Sequence, residues 1–479
     1  MIKQFALNPL KKLRNRRSTD SVPRKGTHQL LQYNWVHDRL GLLRQLKPIL
    51  LIALLCALSL ILHLSLLIVF LLIILTLYLV TTQKTTHAFK NILLHLSLLF
   101  VIILVLSYII IQNGGTSYYI PFAVVPILVQ MLFCDLGLSL FTTLAASLAV
   151  SAVCGNNYNL FLLFTTSGLV SILLVKEAPR RMHVMRAGAV VGLVQAASLF
   201  ILNQAAISSW GSYLLLFLNG IACSFIVLGI LPIFEYLFKT VTDISLLELA
   251  DFNQPLLQQL IKDAPGTFHH SLVVGNLSDA ASKAVGAHAL LARVGAYYHD
   301  VGKLSKPDYF SENQGNNENI HDDLTPTMSK LVIMNHVKEG LDLAKKYKLS
   351  PRLMDFIQQH HGDSLVYYFY LRALQGMEDK DDVNEEGFRY PGPKPSTKET
   401  AIVLLADSAE AATRTLKEPT PSNIEELVHK VINNKFIDGQ LDACDLTLKD
   451  LEQISAVFIH ILGAIYHSRI IYPEQGKPR

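Results

Sequence analysis

The feature that most constrains this chain is a long stretch with almost no charge. Between residues 48 and 175 only three side chains are charged, namely Lys84, Lys90 and Asp135. Apolar runs of about 18 or more residues without charges are long enough to cross a bilayer as helices. A transport pathway would need polar or ionisable groups at membrane depth, whereas the sequence offers only scattered Ser, Thr and Asn and Asp135, which we expect at an interface. We therefore predict a helical membrane anchor, followed from about Ser245 by a soluble domain.

The apolar part, 48–240, divides into about eight predicted spans. The run 48–80 would be about 50 Å long as one helix, against a hydrocarbon core of about 30 Å, so we predict a tight hairpin of two short spans. The run 120–154 is interrupted near its middle and is predicted to form a second hairpin. Counts of six or seven spans remain open. The other predicted spans are 92–111, 159–175, 187–206 and 212–238.

Positive charge predicts the orientation of these spans. The first 47 residues hold 11 Lys or Arg and two Asp, and this basic arm directly precedes the first span. The loop Lys176–Arg186 is also strongly basic. Positively charged loops stay on the cytoplasmic side of a membrane. We therefore expect an integral protein of the inner (cytoplasmic) membrane, with both termini and the soluble domain in the cytoplasm. Contact with anionic lipid is the favoured role of the arm, and no DNA or RNA polymer is expected as a partner.

Cysteine usage agrees with a cytoplasmic soluble domain. Four of the five cysteines, Cys56, Cys134, Cys154 and Cys223, fall in apolar runs, and only Cys444 falls in the soluble part. This pattern contains neither a disulfide framework nor a CxxC metal site. It is consistent with a reducing compartment.

The soluble half is predicted to be helical throughout. Helical periodicity continues from Thr242 onward, and no segment alternates polar and apolar residues in the way that a half-buried strand does. We predict a helical connector over 241–262 and a compact all-α domain over 263–475. One long loop is predicted over 376–400, where an acidic run precedes a proline-rich segment. A solvated surface is its favoured interpretation, and contact with a phosphate-bearing ligand is the alternative.

An ordered set of histidines and aspartates marks the compact domain. Imidazoles and carboxylates suit divalent ions such as Mn, Fe or Zn. A carboxylate flanked by histidines can bridge two such ions, which together polarise a phosphodiester and activate water. Asp407 follows an apolar run, and a carboxylate on a buried helix is costly unless it is paired or binds a metal. The candidate ligands are His270, His299, Asp300, His336, His360, His361 and Asp407.

The other histidines have simpler explanations. His269 adjoins His270, but neighbouring helical residues point about 100° apart, so only one of the two should face a metal. The pair His360-His361 differs because a break at a helix end could turn both side chains inward. The histidines that we assign to surface or packing roles are His288, His429, His460 and His467.

The order of these residues resembles a known pattern. His270, His299-Asp300 and Asp407 are similar to the H…HD…D signature of the HD phosphohydrolase superfamily. Longer strings resemble the PgpH-type membrane phosphodiesterases, which are multi-span bacterial receptors with an intracellular HD hydrolase domain. The resemblance runs from about residue 66 to 475. The strings that carry it include APGTFHHSLVVGNL at 264–277, LLARVGAYYHDVGKLSKPDYFSENQ at 290–314 and LLADSAEAA at 404–412.

This resemblance implies an all-helical HD fold that hydrolyses the second messenger cyclic di-AMP to pApA with two Mn or Fe ions. It implies that Asp300 bridges the ions and that Lys303 offers a cation to the phosphate, which makes these two the expected catalytic residues. A homodimer is compatible with it. The ligands implied for the first ion are His270, His299, Asp300 and Asp407. Those implied for the second ion are Asp300, His336, His360 and His361.

The chain departs from the family in one respect. Such receptors usually carry a large extracytoplasmic domain between their first two spans. The corresponding position here is the predicted hairpin 48–80, which has no room for one. Sensing of an external ligand is therefore in doubt, and the membrane half is expected to anchor, to dimerise or to respond to the bilayer.

Two other functions stay open at this point. The related cyclic di-GMP phosphodiesterases carry a Gly-Tyr-Pro motif downstream of the third histidine, whereas the nearest string here, Arg389-Tyr390-Pro391, follows the His360-His361 pair. A non-catalytic nucleotide sensor would be expected to lack a ligand, and none is missing. A membrane scaffold alone does not explain the ordered ligand set.

Overall fold

The architecture is taken from a computed structural model, which describes residues 92–176, 180–202, 210–314, 319–375 and 383–466. These residues belong to one of the two units into which the chain divides, 77–479. Within them the fold is helical, and β-structure is limited to one isolated bridge between Leu365 and Arg389. The predicted all-α class is confirmed. The predicted arm 1–47 and hairpin 48–80 lie outside the described residues.

Six apolar helices form the membrane part of the described chain. Five of them are long and apolar enough to cross a bilayer. The predicted spans 92–111, 159–175 and 212–238 coincide with three of these helices to within two residues at each end. The helix bounds are α1 Ile92–Gln112, α2 Val124–Phe133, α3 Leu136–Val153, α4 Tyr158–Val175, α5 Arg181–Leu202 and α6 Trp210–Phe238.

The interruption predicted within 120–154 is a sharp turn between α2 and α3. Cys134 ends α2 in the left-handed region, with φ of 53°. Asp135 then caps α3, because its Oδ1 accepts a hydrogen bond from the Leu138 amide at 3.0 Å. Such a cap satisfies one of the free amides at a helix start. Asp135, the single acidic residue between 48 and 175, therefore has a local structural role.

The short helix α2 is extended by a 3-10 turn, Ser117–Tyr119. Asn219 on α6 donates through Nδ2 to the carbonyls of Tyr118 and Ile120, at 3.1 and 3.2 Å. Irregular backbone at membrane depth is tolerated only when the protein supplies such partners. The segment 117–133 thus completes a sixth passage through the bundle, although α2 alone is only about 15 Å long.

One edge of the helical bundle meets the soluble half. His95 near the start of α1 stacks on Phe238 at the end of α6, with ring centroids 4.0 Å apart, and Phe133 at the end of α2 lies 6.1 Å from the same ring. Arg181 at the start of α5 pairs with Glu248 of the connector at 2.6 Å. Successive passages therefore alternate in direction. The helix that corresponds to the predicted span 187–206 starts and ends earlier in the chain, at Arg181–Leu202, because basic residues form its first turns instead of a loop.

The connector and the soluble domain contain ten α-helices in the described residues. The chain enters them through α7 and α8, which occupy the predicted connector 241–262 and end one residue beyond it. The bounds are α7 Asp243–Leu249, α8 Pro255–Asp263, α9 Pro265–Ala284, α10 Ala289–Tyr298, α11 Pro326–Lys346, α12 Pro351–Gln359, α13 Tyr367–Gln375, α14 Lys398–Arg414, α15 Pro421–Ile437 and α16 Leu448–Ile465.

Helix α14 runs through the centre of the soluble domain. Thr397 starts it with a capping box that also uses Thr400, an arrangement that satisfies two free amides at once. Ala401–Ala406 are fully buried, and the helix packs against α9, α10 and α12. Asp407 therefore projects from a buried helix, in a position where a carboxylate needs a partner.

Candidate metal centre

Seven side chains that are distant in sequence converge on one buried centre. They are brought there by five helices and by the turns that follow α10 and α12. Two groups of them place ligand atoms within 4.8 Å of one another, and Asp300 belongs to both groups. The positions are His270 on α9, His299 and Asp300 after α10, His336 on α11, His360 and His361 after α12, and Asp407 on α14.

Asp300 turns one carboxylate oxygen toward each pair of histidines. Its Oδ2 lies 3.6 Å from His270 Nε2 and 3.3 Å from His299 Nε2. Its Oδ1 lies 3.4 Å from His336 Nε2 and 3.5 Å from His360 Nε2. Asp300 as a whole residue is 1% exposed. This arrangement suits a carboxylate that bridges two cations.

Asp407 lies beside His270 and His299 and also approaches His361. Its Oδ1 lies 3.1 Å from His270 Nε2 and 3.9 Å from His299 Nε2, and its Oδ2 lies 3.7 Å from His361 Nδ1. The ring of His361 stacks on Tyr390 with centroids 4.3 Å apart. His361 thus presents Nδ1 to the centre, unlike the other four histidines, which present Nε2.

Three of the histidines are held by backbone carbonyls. A carbonyl can only accept, so Nδ1 of each ring must carry the proton and Nε2 must hold a free electron pair. This is the tautomer that metal-binding imidazoles adopt. The contacts are His299 Nδ1 to Ala296 O at 2.6 Å, His360 Nδ1 to Phe356 O at 3.1 Å and to Ile357 O at 3.0 Å, and His336 Nδ1 to Ile333 O.

The resulting set of electron pairs fits a bound cation. His336 Nε2 and His360 Nε2 are 3.2 Å apart, and two electron pairs at that distance repel each other. His299 Nε2 and Asp300 Oδ1 have no hydrogen-bond partner among the described residues. A buried polar atom without a partner costs about 1–3 kcal/mol. Divalent ions at these positions would satisfy all four atoms.

Electrostatics favour the protonation states that metal binding requires. Burial disfavours the charged form of Asp300, but the Lys303 ammonium and His299 hold its pKa well below the usual value. Burial lowers the pKa of His336 to about 4, and it keeps the pKa of His361 well below the usual value. At neutral pH Asp300 is therefore ionised, and His336 and His361 are neutral, as metal ligation demands.

His270 differs from these histidines. Burial alone would lower its pKa, but hydrogen bonds to Asp407 and Glu410 outweigh burial and raise the pKa to about 9. In the metal-free centre this ring is therefore protonated at neutral pH. A metal that binds Nε2 displaces that proton.

Lys303 is held by two carboxylates. Its Nζ lies 2.7 Å from Asp300 Oδ2 and 2.6 Å from Glu312 Oε1. Its side chain is 13% exposed, so it is fixed at the bridging carboxylate and does not extend into solvent. Contact between Lys303 and a substrate phosphate stays a prediction.

Sequence reasoning missed three residues around the centre. Glu410 lies 2.6 Å from His270 Nδ1, Glu312 holds Lys303, and Tyr390 stacks on His361. One signal could have found Glu410, because it lies three residues after Asp407 and so on the same helix face. The positions of Glu312 and Tyr390 depend on how separate segments pack, and no local pattern marks them.

The histidines assigned to other roles lie away from the centre. His269 is exposed while its neighbour faces inward, and His429 and His460 are exposed as well. His288 caps α10 by accepting from the Leu291 amide at 3.1 Å. His467 lies outside the described residues.

The described part of the predicted loop 376–400 borders an open cavity of about 660 Å³ beside the centre. Arg389 pairs with Glu385 at 2.8 Å and with Asp438 at 3.0 Å, so its charge is already balanced by carboxylates. Tyr390 lines this cavity and also touches His361. The cavity wall therefore adjoins the side of the centre where His361 lies.

Gly302, two residues after the bridging carboxylate, permits the close approach of α11. A Cβ atom there would collide with the carbonyl of His336 and lie 2.5 Å from the Gly340 amide nitrogen. Gly302→Ala should therefore push α11 away from Asp300, with a loss of about 1–3 kcal/mol in unfolding free energy and a weaker second metal position. Calorimetry and metal content measure both effects. Gly463→Ala, where the new methyl meets open space, is the matched control, and equal behaviour of the two variants would contradict this role.

Comparison with known proteins places this geometry in context. Residues 50–242 match the family described as 7TM receptor with intracellular HD hydrolase, and residues 267–412 match the HD domain. The chain is 40% identical over 377 residues to the cyclic-di-AMP phosphodiesterase PgpH of Bacillus subtilis. The matched stretch covers 76% of this chain and 53% of that protein. It is 40% identical over 314 residues to PgpH of Listeria monocytogenes, covering 64% of this chain and 43% of that protein. The chain thus spans about half the length of these relatives.

A solved structure gives a further comparison. The HD domain of Listeria monocytogenes PgpH, in complex with cyclic di-AMP, is 43% identical to the matching part of this chain. The match covers 45% of this chain and all of that structure, with a TM-score of 0.44.

Proposed function

Since this chain belongs to the family of 7TM receptors with an intracellular HD hydrolase domain, we propose that it is a metal-dependent phosphodiesterase that hydrolyses cyclic di-AMP to pApA at the cytoplasmic face of the membrane. The observation that carries this proposal is the carboxylate of Asp300, which presents one oxygen to each of two histidine pairs. The names of the PgpH relatives support the substrate.

Two divalent ions, with Mn or Fe as our proposal, would be held on either side of Asp300. When bound, they would polarise the phosphodiester and activate water for its hydrolysis. The residues proposed for one ion are His270, His299, Asp300 and Asp407. Those proposed for the other are Asp300, His336, His360 and His361.

The exposure of the ligands indicates where substrate enters. The side chains of His361 and Asp407 are 23% and 11% exposed, whereas those of His299 and Asp300 are 0% and 2% exposed. A scissile phosphate therefore approaches the centre from the His361 side. Tyr390 flanks this approach and is positioned to contact the dinucleotide there.

Other groups of the chain orient the side chains of the centre. Carbonyls fix three imidazoles in one tautomer, and Glu312 fixes Lys303 against Asp300. The Lys303 ammonium adds a positive charge close to the point where charge on the phosphate increases during attack. Preorganised charge of this kind stabilises a transition state without reorganisation.

Turnover of a panel of substrates tests the proposal. The full chain is purified in detergent, loaded with Mn²⁺ and given cyclic di-AMP, cyclic di-GMP and a linear dinucleotide. We expect cyclic di-AMP to be converted to pApA faster than cyclic di-GMP is opened. The substrate assignment would be refuted if cyclic di-GMP were cleaved faster than cyclic di-AMP, or if neither cyclic dinucleotide were cleaved.

The proposal also fixes an orientation. With the soluble domain in the cytoplasm, the alternating passages put Asn113 and Asn159 on the external side and Lys262 on the internal side. In single-cysteine variants made without the native cysteines, a membrane-impermeant maleimide should label Asn113→Cys and Asn159→Cys in intact cells and spare Lys262→Cys. Labelling of position 262 before lysis would reverse the topology. A homodimer stays a prediction.

A further inference from the structure

The histidines of the centre differ in what holds their Nδ1 atoms. Three of them meet backbone carbonyls, whereas Nδ1 of His270 lies 2.6 Å from the carboxylate Oε2 of Glu410. A charged acceptor makes a shorter and stronger hydrogen bond than a neutral carbonyl does. His270 therefore has a distinct environment among the proposed ligands.

Glu410 is itself held in place. It is 3% exposed, and a buried carboxylate is costly unless it is paired. Arg414, one turn further along α14, donates through Nε and Nη2 to Glu410 Oε1 at 2.9 and 2.8 Å, and through Nη2 to Oε2 at 2.9 Å. This two-pronged contact fixes the plane of the carboxylate. The order Arg414, Glu410, His270 thus leads from the surface to the centre.

The same helix also supplies a proposed ligand. Asp407 and Glu410 lie one turn apart on α14 and contact opposite sides of the His270 ring, at Nε2 and Nδ1. The ring is therefore positioned from both sides by one rigid element. Among the described residues, no other histidine of the centre has a carboxylate at each of its two ring nitrogens.

Resting on the proposed two-metal function, we propose that Glu410, clamped by Arg414, is a positioning residue that makes the His270 position the tighter of the two metal positions. Its carboxylate fixes the orientation and tautomer of the ring and strengthens Nε2 as a donor. Carboxylate partners of metal-binding histidines have this effect in general, and their loss costs about 10–100-fold in metal affinity. At the second position, His336 and His360 have backbone carbonyls as Nδ1 partners and lack a carboxylate there, so we expect that position to bind its ion more weakly.

Metal titration of the full chain in detergent tests this inference. Glu410→Gln preserves the size of the side chain and removes its charge, so a merely structural role predicts wild-type behaviour. We expect Glu410→Gln to bind one of its two Mn²⁺ ions at least about 10-fold more weakly, and Glu410→Ala about 100-fold more weakly. At a Mn²⁺ concentration that fills both positions of the wild type, electron paramagnetic resonance of Glu410→Gln should show loss of the spin-coupled pair, with a mononuclear signal in its place.

Two further variants keep the test decisive. Arg414→Gln changes a side chain that is 35% exposed, so it can be studied even if removal of the buried carboxylate unfolds the domain. It should weaken the same ion by a smaller factor. Glu425→Gln, at an exposed position of α15, should match wild type. If Glu410→Gln and Arg414→Gln both hold two ions with wild-type affinity, or weaken both ions equally, the inference is overturned.

The outcome is separable from that of the proposed function. A wild-type chain that binds two ions and shows the expected Glu410 effect, yet leaves cyclic di-AMP intact, would refute the substrate and retain the inference. A chain that cleaves cyclic di-AMP while Glu410→Gln binds both ions normally would do the opposite.

Discussion

Asp300→Ala is expected to abolish both metal binding and turnover. Asp300 is the one side chain that belongs to both groups of ligands, so its removal takes a ligand from each ion at once. It also removes one of the two carboxylates that hold the Lys303 ammonium and leaves only Glu312. We expect turnover of cyclic di-AMP to fall by at least about 10³-fold. Metal content and turnover should be measured on the same sample.

Asp300→Asn separates this effect from unfolding. The amide has the shape of the carboxylate, but it lacks the charge and offers only one oxygen, so it cannot bridge two cations. We expect the same loss of activity with the helical content unchanged. Asp323→Ala, at an exposed carboxylate outside the centre, should behave as wild type. Substantial turnover by either Asp300 variant would contradict a bridging role.

Removal of the metal is expected to have the second largest effect, on stability as well as on activity. A ligand that binds only the folded state at 100 times its dissociation constant stabilises that state by about 2.7 kcal/mol. Two ions would therefore contribute about 5 kcal/mol under such conditions. Chelation with EDTA should lower the melting temperature and abolish turnover, and added Mn²⁺ should restore both.

The pH dependence of this effect follows from His270. Its pKa is raised to about 9 in the metal-free centre, so metal binding displaces a proton at any pH below that value. Apparent affinity should therefore fall as the pH is lowered from 9 toward 6, by up to about tenfold per pH unit for one displaced proton. The Asp300→Asn protein provides the control, because its melting temperature should not respond to EDTA. A wild-type melting temperature that is equally insensitive would argue against bound ions.

Much of the membrane part could be predicted from sequence, because long uncharged runs leave few structural options. The spans at 92–111, 159–175 and 212–238 match helices closely. Local composition could not predict how α2 crosses with only ten residues. That depends on Asn219, which lies about 100 positions away in the chain and donates hydrogen bonds to the carbonyls of Tyr118 and Ile120.

At the metal centre, too, sequence could predict some residues and not others. Residue type and order indicated all seven candidate ligands, because few other roles explain buried imidazoles beside carboxylates. The partners of those ligands were not predictable in the same way. Glu312 is recognisable only once the chain beyond Lys303 folds back over it, and Tyr390 only once its loop packs on His361. Lys303 was expected at the phosphate, and its ion pair with Asp300 and Glu312 depends on tertiary packing alone.

The most direct test of the central claim is anomalous diffraction or high-resolution cryo-electron microscopy of the Mn²⁺-loaded full chain. We predict two separate metal peaks, one between His270, His299 and Asp300 and the other between Asp300, His336 and His360. A single peak, or an Asp300 carboxylate that contacts only Lys303 in metal-replete protein, would contradict the account.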